Sequence, residues 1–147
     1  MTPELLFSIA NTVALSGWVL LALFPRRRLV NRALCGAALP ALLAALYLLL
    51  LLARAGQARG GFSTLANVHL LFEDPFTLLA GWVHYLAFDL FIGAWETRDA
   101  VRRGAPRLLL LPCLLLTFLI GPVGLLAWLG VRRFFKQVPG EERAALG

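Results

Sequence analysis

Residues 76–95 read Phe-Thr-Leu-Leu-Ala-Gly-Trp-Val-His-Tyr-Leu-Ala-Phe-Asp-Leu-Phe-Ile-Gly-Ala-Trp, an apolar run broken only by the imidazole of His84 and the carboxylate of Asp89. Its length matches the hydrocarbon thickness of a bilayer at a helical rise of about 1.5 Å per residue. Three further runs have the same character: 5–24, 33–53 and 108–131. Hydrocarbon offers no partner to a free backbone group, so each run is expected to be helical. Alternation of apolar and polar residues, which a barrel would need, is absent from Leu48–Leu52. The fold class is therefore all-α, a polytopic membrane protein of four transmembrane helices.

The whole composition agrees. Of 147 residues, 60% are hydrophobic and 15% charged, where a soluble domain has about a quarter charged. The 13 Arg and one Lys against eight acids give a net charge of +6. These cations sit between the apolar runs, as membrane topology places them, and so suggest contact with lipid headgroups and no nucleic acid. The run 5–24 has no basic residue before it and Arg26-Arg27-Arg28 after it, so it reads as a retained span and not a cleaved signal. Cys35 and Cys113 lie in or beside apolar runs and read as small buried residues.

Four spans would place the loops 25–32 and 96–107 on one side with eight Arg, and the second loop and the tail on the other with six basic residues. The positive-inside rule then makes the Arg-rich loops cytoplasmic and both termini external. Residues 1–136 form a single domain, followed by a short polar tail, 137–147. Before the third span, Ser63 can cap a helix carrying Leu65, Val68, Leu71 and Phe72, too short to cross and therefore interfacial or re-entrant. Asn11, Thr12 and Ser16 are expected to hydrogen-bond between helices. Trp18, Trp95 and Trp128, near span ends, are expected to anchor at the interface.

The ionisable groups at depth are the candidate chemistry. A carboxylate at mid-membrane costs about 2.5–3.5 kcal/mol on insertion scales, so Asp89 should face the bundle interior with a function or a buried hydrogen bond. Trp82, Tyr85, Asp89 and Glu96 share one helical face, whereas His84 lies about 140° round from Asp89. His69, Glu73 and Asp74 make a second cluster, whose acids can equally cap the start of the third span. No spacing typical of a metal site is present, and no cofactor is expected. Pro122 cannot donate to the Phe118 carbonyl, so the fourth span should kink or break there, either for packing or to line a substrate site.

Trp82-Val83-His84, Asp89-Leu90-Phe91, Asp99 and Gly121-Pro122-Val123-Gly124 together resemble the abscisic-acid-deficient-four-like family of small membrane proteins, whose plant members are neoxanthin synthases. The resemblance runs from the first span to the Gly-Pro-Val-Gly stretch. It implies an isomerase that opens a carotenoid epoxide while a nearby carbon loses a proton, with no redox change and no cofactor. Asp89 would be the base, and His84 or a protonated Glu73 the acid. Trp82 and Tyr85 would pack the polyene, with Asp74, Asp99 and Pro122 completing the substrate-binding set. The absence of a transit peptide and the Arg- and Ala-rich usage suggest a bacterial inner membrane. The expected partners are the bilayer, a hydrophobic carotenoid or isoprenoid ligand, and a second copy of the chain. Two alternatives are a non-catalytic pigment- or lipid-binding protein or enzyme subunit, and a proton or small-solute pathway through Asp89 and His84.

Overall fold

A computed structural model describes residues 2–57 and 59–136, so the polar tail at 137–147 lies outside the described residues. The described residues are mainly helical and contain no strand. Helix α1 covers Pro3–Leu23, α2 Leu39–Ala53, α3 Leu65–Phe72, α4 Pro75–Arg102, α5 Arg107–Ile120 and α6 Pro122–Val131. A π-helical stretch, Leu29–Ala38, runs directly into α2, and a 3₁₀ turn, Arg132–Phe134, follows α6. Three helices are long and apolar enough to cross a membrane: Pro3–Leu23, Leu29–Ala53 and Pro75–Arg102.

Helix α4 is the axis of the molecule and touches every other α-helix. It starts cleanly because Asp74 accepts from the Thr77 amide at 2.9 Å while Pro75, which has no amide hydrogen, occupies the first turn. It stops at Gly104, whose φ of 61° is the left-handed conformation that terminates helices. Leu79, Ala80, Val83, Leu86 and Ala87 bury its first half against α1 and α2. Leu90 and Ala94 bury its second half with Trp18, Leu21, Cys113 and Trp128. The short α3 was expected; its N-cap is Thr64, which accepts from the Asn67 amide at 3.1 Å, and not Ser63. Its Phe72 ring packs against Gly81 of α4, where a Cβ would come within 2.7 Å.

The segment expected to be a fourth span is instead a helical hairpin. Were 107–131 one helix, Arg107 and Arg132 would stand roughly 37 Å apart at opposite ends of the bundle. Both are at the same end. Arg107 donates to the Ala22 and Leu23 carbonyls at the end of α1. Arg132 lies 3.2 Å from Asp99, near the end of α4, and Arg103 donates to the Phe135 carbonyl at 2.8 Å. Helix α5 thus descends along α4, the chain reverses at Gly121-Pro122, and α6 climbs back. The two legs are so close that a Cβ on Gly124 would lie 2.0 Å from the Thr117 amide nitrogen, which only glycine permits.

The hairpin explains the tryptophans. Trp128 is fully buried and donates to Asp99 at 3.2 Å, and Trp18 is buried against Gly93 and Phe118. Trp95 lies under the Arg132 guanidinium at 5.2 Å. All three therefore pack helix against helix and are not free interface anchors. Asn11 does link helices, accepting from Trp82 Nε1 at 3.1 Å, but Thr12 and Ser16 donate to carbonyls of their own helix.

At the opposite end of the bundle, Arg54 and Asp74 form an ion pair that ties the end of α2 to the start of α4. The Arg54 hydrogen bond and then those from Thr77 outweigh desolvation and hold the Asp74 carboxyl down from its ordinary 3.8 to about 2. A carboxyl lowered on folding stabilises the fold above its unfolded value, and this contribution disappears as pH falls towards the folded value. Asparagine still caps a helix but cannot pair. Thermal unfolding in detergent should therefore show wild type more stable than Asp74→Asn above about pH 4, with the gap closing by about pH 2. A gap that stays constant over that range contradicts the ion pair.

Candidate functional site

Asp89 lies near the middle of α4, roughly 21 Å along the axis from Pro75. Its carboxylate is set against the hairpin turn, where a Cβ on Gly121 would come within 2.7 Å of Oδ1 and 2.8 Å of Oδ2. The turn is built from what the sequence makes unavoidable. Pro122 cannot bond the Phe118 carbonyl, and the Tyr85 hydroxyl donates to that carbonyl at 3.3 Å instead. Tyr85 precedes Asp89 by one helical turn, so the phenol and the carboxylate face the same break. Asp89 Oδ2 is buried and has no hydrogen-bond partner among the described residues. A buried polar atom without a partner commonly costs about 1–3 kcal/mol, which is unusual to retain without a use.

An aromatic row leads to this carboxylate. Phe7 of α1 lies 5.7 Å from Trp82, and Trp82 lies 5.4 Å from Tyr85. Trp82 is 41% exposed and Phe7 44%, so the row forms a wall open to the surroundings of the bundle. It has the character of a surface for an extended apolar molecule, with one carboxylate at its inner end.

Other expected site residues lie elsewhere. His84 is exposed on a different face of α4, beside Phe88 at 4.6 Å and Tyr47 of α2 at 5.7 Å. The structure does not bring it to Asp89. Glu73 is exposed at the end of α3 and lies 3.7 Å from His69. Asp74 caps α4 and holds Arg54. Asp99 is 1% exposed and is the centre of a cationic knot, with Arg103 Nε at 2.9 Å, Arg132 Nε at 3.2 Å and Arg102 Nη2 at 3.6 Å. Pro122, at the first position of α6, makes the turn against which Asp89 rests. Among the described residues no group of three or more His, Cys, Asp or Glu is placed to hold a metal ion.

One buried acid was placed on the Asp89 face by its spacing but was not among the expected site residues. Glu96 has no exposed surface, and its two oxygens lie 2.9 and 3.0 Å from the Thr117 hydroxyl of α5. Its signal was its place on the Asp89 face, seven residues on and just past the boundary drawn at Trp95.

Residues 5–128 match the ABA DEFICIENT 4-like family model, a stretch that takes in α1 through the hairpin turn and Asp89. The chain belongs to that family. With three helices long and apolar enough to cross a bilayer, it is a membrane protein related to the neoxanthin synthases. No curated protein and no solved structure matches it.

Proposed function

We propose that this family member is an acid–base isomerase acting on a carotenoid epoxide or a similar polyene epoxide, with Asp89 as the base. The observation that carries the reading is the buried, partnerless Oδ2 of Asp89 at the inner end of the Phe7–Trp82–Tyr85 row. The polyene would lie along the aromatic row with its epoxide ring at the hairpin turn. Asp89 takes the proton from a carbon adjacent to the epoxide, the electron pair forms a new double bond, and the epoxide C–O bond breaks. The oxygen receives a proton and ends as a hydroxyl, so substrate and product are isomers and no electrons are exchanged. The Tyr85 phenol, which neighbours Asp89 and is held by the Phe118 carbonyl, is the donor best placed to supply that proton. His84 faces α2 and is outside this arrangement.

The test is conversion in a host that makes carotenoid epoxides, with extracted pigments separated and identified by absorption and mass. Asp89→Asn is expected to lose about 10²-fold or more of the conversion given by wild type, while His84→Ala loses less than about 10-fold. Full conversion by correctly inserted Asp89→Asn overturns the base assignment. A polyene that copurifies unchanged with both wild type and Asp89→Asn would instead favour a binding protein without chemistry.

We also propose a membrane orientation, which the hairpin supports. Arg26, Arg27, Arg28, Arg32, Arg98, Arg102, Arg103, Arg107, Arg132, Arg133 and Lys136 lie towards one end of the bundle, and only Arg54 and Arg59 of the described basic residues lie towards the other. By the positive-inside rule, that asymmetry supports the reading that the Arg-rich end, and residue 136 with it, is cytoplasmic. A reporter enzyme inserted after Lys136 is expected to show cytoplasmic activity, and activity across the membrane contradicts the orientation.

A further inference from the structure

A cleft lies away from Asp89, at the Arg-rich end. It has a volume of about 470 Å³ and lies between the end of α1 and the turn joining α4 to α5. Its wall has two kinds of surface. Arg26, Arg27 and Arg107 supply three guanidinium groups, while Leu23, Phe24 and Val101 supply exposed apolar surface; no acidic side chain lines it.

The cations are available for a ligand. Among the described residues, none of the three arginines is paired with a carboxylate, although Asp99, Arg102, Arg103 and Arg132 form their own closed knot nearby. Arg107 is fixed in place by donating through Nη2 to the Ala22 and Leu23 carbonyls, which leaves Nε and Nη1 uncommitted. No side chain caps the start of α5, which opens at this cleft, so its positive end adds to the same field. Arg26 and Arg27 are exposed and follow the end of a helix of membrane-crossing length, which puts them at headgroup depth.

We infer that this cleft binds the phosphate-bearing head of an anionic phospholipid, with the guanidinium groups on the phosphate and Leu23, Phe24 and Val101 against the first carbons of the acyl chains. Guanidinium matches phosphate in shape as well as charge, and the apolar half of the wall has no use for a fully soluble anion. The site is separate from the Asp89 site and does not depend on the chemistry proposed there.

Native mass spectrometry of the full chain, released from vesicles of mixed phosphatidylglycerol and phosphatidylcholine, tests the assignment. Wild type should retain one phosphatidylglycerol in preference to phosphatidylcholine. Arg26→Gln/Arg27→Gln, which leaves the Arg107 contacts to α1 intact, should weaken retention roughly 30-fold, since each surface cation contributes about fivefold. Arg133→Gln/Lys136→Gln, at the same end but outside the cleft, should retain the lipid as wild type does. Equal losses in the two variants would show a diffuse basic surface and overturn the cleft. Displacement of the lipid by inorganic phosphate at matching concentration would assign the cleft to a soluble phosphate compound and overturn the lipid.

Discussion

The structure depends on one missing hydrogen. Pro122 has no amide hydrogen to give the Phe118 carbonyl, so the helix that begins at Arg107 cannot continue through it without a substitute. The Tyr85 hydroxyl of α4 is that substitute, at 3.3 Å. The chain then reverses, and the reversal is closed by Gly124 lying directly on Thr117. From this follow the position of Trp128 over Asp99, of Arg132 and Phe135 beside α4, and of Gly121 beneath Asp89. Irregular backbone at membrane depth is tolerated where protein covers it or a cavity meets it, and here α4 covers it.

The hairpin also places acids where they could not otherwise sit. Asp99 is buried but surrounded by Arg103, Arg132 and the Trp128 indole, all brought by the returning leg or the end of α4. Glu96 is buried against Thr117 of the descending leg. Asp89 meets the tip of the turn and the neighbouring Tyr85 phenol, and one oxygen is left without a partner. The three acids of one helix thus meet three different environments: neutralised, hydrogen-bonded to a single hydroxyl, and unsatisfied. The last is the one we propose as the base.

The helical fold was legible because unbroken apolar length is a strong signal. Three of the four runs, 5–24, 33–53 and 76–95, fall on helices of crossing length. The run 108–131 was misleading for a physical reason: enough apolar residues for one span are also enough for two half-length legs. Composition cannot separate these, but charge could have. Reading 108–131 as a span divides the basic residues eight to six, whereas folding it back gathers nearly all of the described ones at one end. Within the site, the shared face of Trp82, Tyr85 and Asp89 followed from helical spacing, as did the separation of His84 from Asp89. The pairing of Asp89 with Gly121 needed the reversal and was not legible from either segment alone.

The most direct measurement is cysteine labelling from outside intact cells with a membrane-impermeant maleimide, in a background lacking Cys35 and Cys113. Leu108→Cys and Phe134→Cys mark the two ends of the hairpin, and Phe62→Cys marks the opposite end of the bundle; all three positions are exposed. The folded-back structure requires 108 and 134 to behave alike and 62 to behave oppositely, with 62 labelled and the other two protected in the orientation proposed. A single continuous span would put 108 and 134 on opposite sides in either orientation. Labelling of one and not the other would contradict the hairpin, and with it the placement of Asp89.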